Sequence, residues 1–193
     1  MRLLIYAMQS SGASSFCYFL GQRPRSVAVV DVWSRGLAPA IDTPHPVVAK
    51  ATVNMIFTID DHAARYRPDR TILFLRDPVA VYASLSKYDY ADRFGTIDEK
   101  TARMDTELAC ADRYDAIVRY EDFAARDPAL LATLDNLGWR CEVAWYDAPR
   151  GLRDIHGFNS AASPWLARHW SDGWGFGNIR PGPPDSKLAC VSC

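Results

Sequence analysis

Arg2-Leu3-Leu4-Ile5-Tyr6-Ala7-Met8-Gln9-Ser10-Ser11-Gly12-Ala13-Ser14-Ser15-Phe16 is the stretch that decides the fold. Leu3 to Ala7 is an uninterrupted apolar run of strand length. It lacks the polar alternation of a half-exposed strand and therefore reads as one buried on both faces. Small and hydroxyl-bearing residues follow at once, and Phe16-Cys17-Tyr18-Phe19-Leu20 continues as a helix. A strand that runs through a Gly/Ser turn into a helix makes a cradle for an oxyanion. The free N–H groups at the helix start point at the anion, and the hydroxyls of Ser11, Ser14 and Ser15 can add donors. Gln9, Ser10, Ser11, Gly12, Ala13, Ser14 and Ser15 are the first candidate binding residues. The spacing excludes GxxxxGK[ST], because no Lys follows Gly12 at the required place. A Ser-rich turn here is also an ordinary helix cap, so the choice between cap and cradle rests on the rest of the chain. Arg2 before the apolar run also fits a short signal peptide, but the Gly/Ser loop fits a buried strand better, and the protein reads as cytoplasmic.

Outward from this stretch the pattern recurs. Val27-Ala28-Val29-Val30, Val47-Val48-Ala49, Thr71-Ile72-Leu73-Phe74-Leu75 and Ala116-Ile117-Val118 are further short apolar runs, the one at Thr71 being the clearest. Between them lie helical stretches: one near Asp60 to Arg65, one opened by Asp77-Pro78, and one from Ile97 to Tyr114. Another carries Leu130, Leu131, Leu134 and Leu137 and is closed by Gly138. Alternating buried strands and helices predict a three-layer α/β domain, with a central, mostly parallel sheet and helices on both faces. Such sheets take ligands at the carboxyl ends of their strands. Residues 1–150 form this domain, and the aromatic, Gly- and Pro-rich segment 151–193 reads as its C-terminal cap or tail.

Composition narrows the partners. The 193 residues suit one domain, and 49% hydrophobic with 23% charged residues excludes wholesale disorder. The formal net charge of −1 supplies no field toward nucleic acid or anionic membrane. No apolar segment reaches the ~20 residues of a membrane helix. An anionic ligand therefore needs a local site. The five cysteines are scattered and odd in number, which argues against a disulfide framework. Cys190-Val191-Ser192-Cys193 lacks the second ligand pair of a zinc site, and no metal is expected.

Leu73-Phe74-Leu75-Arg76-Asp77-Pro78 places an Arg at the end of the clearest strand, and Ser84 lies eight residues on, about two helical turns away. An Arg fork plus a hydroxyl suits a terminal phosphate. Arg119-Tyr120-Glu121-Asp122-Phe123 ends the next strand. Together with the Ser11-Gly12 loop, these segments resemble, in order and spacing, the PAPS-dependent sulfotransferases. The resemblance spans residues 3 to about 138 and implies a P-loop-NTPase-like sulfotransferase architecture. It implies in-line transfer of a sulfuryl group from 3′-phosphoadenosine-5′-phosphosulfate (PAPS) to a hydroxyl or amine acceptor, without a metal. The acceptor class stays open among small molecules, carbohydrates and peptides. In this resemblance Gln9 to Ser15 hold the phosphosulfate, Arg76 and Ser84 hold the 3′-phosphate, and Tyr120 approaches the adenine. Gln9 stands where the family commonly has Pro, and Ser10 where it has a cation.

Val47-Val48-Ala49-Lys50-Ala51-Thr52 resembles the family's Lys-Thr-His segment, with Lys50 at the Lys and Thr52 in place of the catalytic His. Lys50 can supply the cation that Ser10 lacks, or be a surface lysine. For the base, Asp31 at the end of the second strand and His45 before the third rank first. His62 reads as a surface residue of its helix, and His156 and His169 belong to the tail. Two other readings compete. A P-loop kinase would use Asp31 to hold magnesium, although its phosphate-binding Lys is missing. A catalytically inactive nucleotide-binding relative would explain Ser10 and Thr52.

Overall fold

A computed structural model of the chain describes residues 1–21, 23, 26–32, 37–38, 40–88, 91–141, 179–181 and 189–191, with the backbone course alone at 30–32, 179–181 and 189–191. Five strands form a parallel sheet: β1 (Arg2–Ala7), β2 (Val27–Val32), β3 (Val47–Thr52), β4 (Arg70–Leu75) and β5 (Ala116–Arg119). Their order is β5-β4-β1-β3-β2. Two three-residue strands, β6 (Ile179–Pro181) and β7 (Ala189–Val191), extend the sheet past β2, with β7 parallel to β2 and β6 antiparallel to β7. The helices are α1 (Ala13–Leu20), α2 (Ile59–Tyr66), α3 (Pro78–Leu85), α4 (Ile97–Ala109), α5 (Tyr120–Ala125) and α6 (Pro128–Asn136).

Successive strand residues point to opposite faces, and both faces are covered. Leu4, Tyr6, Val47, Ala49 and Leu73 pack with Tyr66, Val81, Leu85 and Met104 from α2, α3 and α4. Leu3, Ile5, Val48, Ile72 and Phe74 pack with Phe16, Phe19, Phe123 and Leu134 from α1, α5 and α6. Leu3, Leu4 and Ile5 are wholly buried, each contributing ~1.5–3 kcal/mol by leaving water. That is why these strands carry no polar alternation, and it makes the chain the three-layer α/β protein its sequence predicts.

Local chemistry sets the helix starts. Thr58 with Asp61, and Thr96 with Glu99, close capping boxes on α2 and α4. Asp77 and Asp127 cap α3 and α6, each followed by Pro in the first turn. The helix expected from Ile97 to Tyr114 stops at Ala109, and a 3₁₀ turn, Ala111–Arg113, carries the chain toward β5. There the Asp115 carboxylate accepts from the Thr71 N–H at 2.7 Å, and the Asp115 N–H donates to the Thr71 carbonyl at 3.0 Å. Those bonds dock β5 on β4 and need an extended chain by residue 115. β3 runs to Thr52, three residues beyond the apolar run that announces it, and so takes in Lys50. Apart from β6 and β7, the expected cap at 151–193 lies outside the described residues. Among the described residues no helix is long and apolar enough to cross a membrane.

β1 leads to α1 on one face of the sheet, whereas its neighbour β4 leads to α3 on the other. Where two adjacent strands send their connections to opposite faces, a crevice opens at their carboxyl ends. The candidate site lies there.

Candidate anion-binding site

The loop between β1 and α1 turns tightly. Ser10 has φ +58° and Gly12 φ +86°, both left-handed, a region that residues other than Gly seldom enter. The buried Ser11 hydroxyl donates to the Met8 carbonyl at 2.8 Å and accepts from the Ala13 N–H at 3.4 Å. It braces the loop from within, so of the expected hydroxyl donors Ser11 is taken up structurally. Ala13, Ser14 and Ser15 form the first turn of α1.

Arg76 leaves β4 and donates from Nη1 to the Ser10 carbonyl at 2.9 Å. Its guanidinium carbon stands 4.5 Å from the centroid of the Tyr120 ring, a cation–π distance. Tyr120, the first residue of α5, lies in turn against Gly12: a Cβ there would sit 2.4 Å from the ring's Cδ2. The three segments singled out in the sequence therefore meet as one packed unit. Arg76 has five N–H donors, one goes to Ser10, and no carboxylate lies within 4 Å of it among the described residues.

Two lysines flank the same loop. Lys50, only 4% exposed, reaches from β3 to the Ser14 hydroxyl at 3.1 Å. The surface reading of Lys50 is thus overturned: the residue sits in a sheet covered on both faces. Lys100, on α4, is wholly buried and donates to the Gln9 amide oxygen at 3.2 Å and to the Ala91 carbonyl at 2.7 Å. Burial lowers its pKa from the ordinary lysine value, against the opposing fields of Asp92 and Glu99. Sequence reasoning missed Lys100, because Asp98-Glu99-Lys100 reads as a solvated charge run. Its spacing held the signal. Ile97, Lys100, Met104 and Glu107 recur at intervals of three and four and are the buried residues of α4.

A cavity of about 150 Å³ opens beside Arg76, walled among others by Met8, Ser11, Asp77, Met104, Asp105 and Arg119. Two arginines and two aspartates are thus among the residues that border a largely apolar hollow.

Other expected residues stand elsewhere. His45 precedes β3, so it lies at the amino edge of the sheet, roughly 16 Å or more from the carboxyl edge. It cannot face the cleft, because all five central strands run the same way. His62, expected at the surface, is wholly buried, and its Nδ1 accepts from the Ala38 N–H at 3.1 Å. The face of α2 that carries it, with Ile59 and Tyr66, is the packed one. Ser84 is half-buried in the last turn of α3, ~9 Å along the axis from Pro78, and is not part of the cavity wall. Thr52 is buried at the end of β3, its carbonyl accepting from the Asn54 side chain at 3.1 Å. Asp31 belongs to β2 near its carboxyl end, and its side chain lies outside the described residues, as do His156 and His169.

Fold and site together define a three-layer α/β protein whose parallel sheet carries a loop braced by Arg76, Lys50 and Lys100 at its switch point. No protein-family model matches the chain, and no curated protein matches it in sequence.

Proposed function

We propose that this chain is a cytoplasmic sulfotransferase of P-loop-NTPase-like architecture, moving the sulfuryl group of PAPS to a hydroxyl or amine acceptor. The observation that carries the reading is the meeting of Arg76, Tyr120 and the β1–α1 loop, three motifs far apart in sequence and in the order of that family. The phosphosulfate sits against the loop, where N–H groups at the start of α1 face it. Arg76 offers its remaining N–H donors to the 3′-phosphate, and Tyr120 lies beside the adenosine. As the acceptor oxygen or nitrogen bonds to sulfur, the bond from sulfur to the bridging oxygen breaks and its electron pair stays on the nucleotide phosphate. Lys50, held at Ser14, stabilises that developing charge, in place of the cation absent at Ser10. The acceptor proton passes to a base, for which Asp31 remains the candidate once His45 is placed at the far edge. The cytoplasmic setting rests on cysteine usage: the five cysteines are scattered along the chain and odd in number.

Calorimetric binding of 3′-phosphoadenosine-5′-phosphate, with adenosine 5′-monophosphate as control, tests the reading. We expect tight binding that requires the 3′-phosphate and falls roughly 30- to 1000-fold in Arg76→Ala, the loss of one or two charge-assisted bonds. Failure of both nucleotides to bind, or an unchanged Arg76→Ala protein, refutes it, and ATP with magnesium then tests the kinase. Binding without turnover of PAPS on any acceptor would point to the inactive relative, the reading that Ser10 favours.

A further inference from the structure

Lys100 is an expensive residue to keep. An ammonium wholly removed from solvent is stable when paired with a countercharge or saturated with acceptors. Among the described residues no carboxylate lies within 4 Å of it. Glu99 is occupied in the capping box with Thr96, and the Asp92 carboxylate accepts from the Ile97 N–H. Two acceptors, the Ala91 carbonyl and the Gln9 amide oxygen, take two of its three N–H donors. Among the described residues one donor and a full positive charge are left over, directly beside the loop proposed to hold an anion.

The bond to Gln9 has a second consequence. A lysine ammonium has no acceptor atom, so the amide atom that faces it must be Oε1. The NH₂ end of Gln9 is thereby turned away from Lys100, and its two N–H donors have no partner among the described residues.

We propose that Lys100 is the positioning residue of the β1–α1 loop: it fixes the Gln9 amide so that its N–H donors serve the 5′-phosphoryl or phosphosulfate group of the ligand, and its buried charge adds to the field there. The inference rests on the nucleotide reading above and names the end of the ligand on which it acts. Lys100 and Gln9 serve the 5′ group, whereas Arg76 serves the 3′-phosphate.

The test compares two probes by calorimetry, 3′-phosphoadenosine-5′-phosphate and adenosine 3′-monophosphate, which lacks the 5′ group. Lys100→Met and Gln9→Leu are each expected to weaken the first about tenfold, the loss of one hydrogen bond to a charged group. Both should leave the second within about twofold. Because Lys100 acts through Gln9, the double variant should lose little beyond Lys100→Met alone. A merely structural lysine would weaken both probes alike, and that result overturns the proposal, as does wild-type affinity in both variants. If Lys100→Met does not fold, Gln9→Leu and Gln9→Glu decide. The Glu carboxylate pairs with Lys100 but offers no donors, so it should abolish binding of the 5′-phosphorylated probe and spare adenosine 3′-monophosphate. If the wild type binds neither nucleotide, the functional reading falls, and inorganic pyrophosphate becomes the probe. Pyrophosphate bound by wild type and lost in Gln9→Leu keeps the role of Lys100; none bound by wild type refutes it.

Discussion

Replacing Gly12 by Ala adds one methyl group at the point where loop, tyrosine and arginine meet. The methyl enters at φ +86°, a left-handed conformation that costs an L-residue ~1–2 kcal/mol. It also arrives 2.4 Å from Cδ2 and 2.5 Å from Cε2 of Tyr120, where carbon atoms settle at ~3.5–4 Å. The ring must therefore retreat by about 1 Å or more. Those atoms belong to the body of the ring, so no small torsion at its tip relieves the contact. As the ring retreats, the cation–π contact with Arg76 weakens, worth ~0.5–1 kcal/mol at a half-exposed site. The bond from Arg76 to the Ser10 carbonyl is strained with it, at ~1 kcal/mol. Together these come to about 3 kcal/mol, or a fall in melting temperature of ~6–12 °C for a chain of this length. Thermal unfolding of wild type, Gly12→Ala, Tyr120→Ala and the double variant reads the effect directly. With the ring gone the contacts at 2.4 and 2.5 Å go with it and the backbone cost stays, so Gly12→Ala should be ~2 kcal/mol milder in the Tyr120→Ala background. Equal cost in both backgrounds would refute the packing of Tyr120 on Gly12, and with it the claim that the three motifs form one unit.

Two more outcomes follow from buried groups. His62 is held neutral by burial, its pKa pushed down to about 4 against the opposing pull of Asp61, with Tyr6 and Phe57 rings packed about 6 Å from it. Its folded pKa lies below the unfolded value, so the unfolded chain takes up the proton first. Stability should hold above pH 6.5 and fall by about 3 kcal/mol as pH drops toward 4. Urea unfolding at pH 7 and pH 5 checks this; a slope that persists in His62→Gln would refute it. If the proposed function holds, the protein hydrolyses PAPS slowly with water as acceptor, and Lys50→Met should slow that reaction about 100-fold or more. Unchanged hydrolysis in that variant removes Lys50 from the chemistry.

The frame was legible where burial is symmetric. Leu3 to Ala7 and Thr71 to Leu75 need no partner to be recognised, because a strand covered on both faces has no polar positions to mislead. What stayed hidden is the allocation of each side chain to a face: in an all-apolar run, Leu3 and Leu4 look alike yet enter different cores. The Arg76 and Tyr120 motifs were legible as motifs, but their contact through Gly12 depends on strands β1, β4 and β5 lying side by side, a long-range fact. His45 was misplaced for a related reason. In sequence it is near Lys50; in a parallel sheet, one strand length separates the inert edge from the working one. Lys100 was passed over because composition outweighed periodicity, although the 3–4 spacing from Ile97 to Glu107 already put it on the inner stripe of α4.

α4 also shows how a chain of net charge −1 can gather positive charge beside the β1–α1 loop. Besides Lys100 it carries Arg103, whose Nη1 donates to the carbonyls of Asn54 at 2.7 Å and Phe57 at 3.0 Å, in the loop after β3. The Met55 N–H of that loop donates to the Phe94 carbonyl at 2.8 Å, next to the segment that Lys100 anchors at Ala91. One helix thus ties the loop after β1 to the loop after β3, the first proposed to hold the nucleotide and the second following the strand of Lys50. Among the described residues both of its anchoring cations donate to backbone or amide oxygens instead of pairing with carboxylates. A carboxylate partner would hold the loops equally well but cancel the field at the carboxyl edge. Neutral acceptors brace the loops and leave the positive charge available, which is what the proposed anionic ligand would require of a protein with no net positive charge.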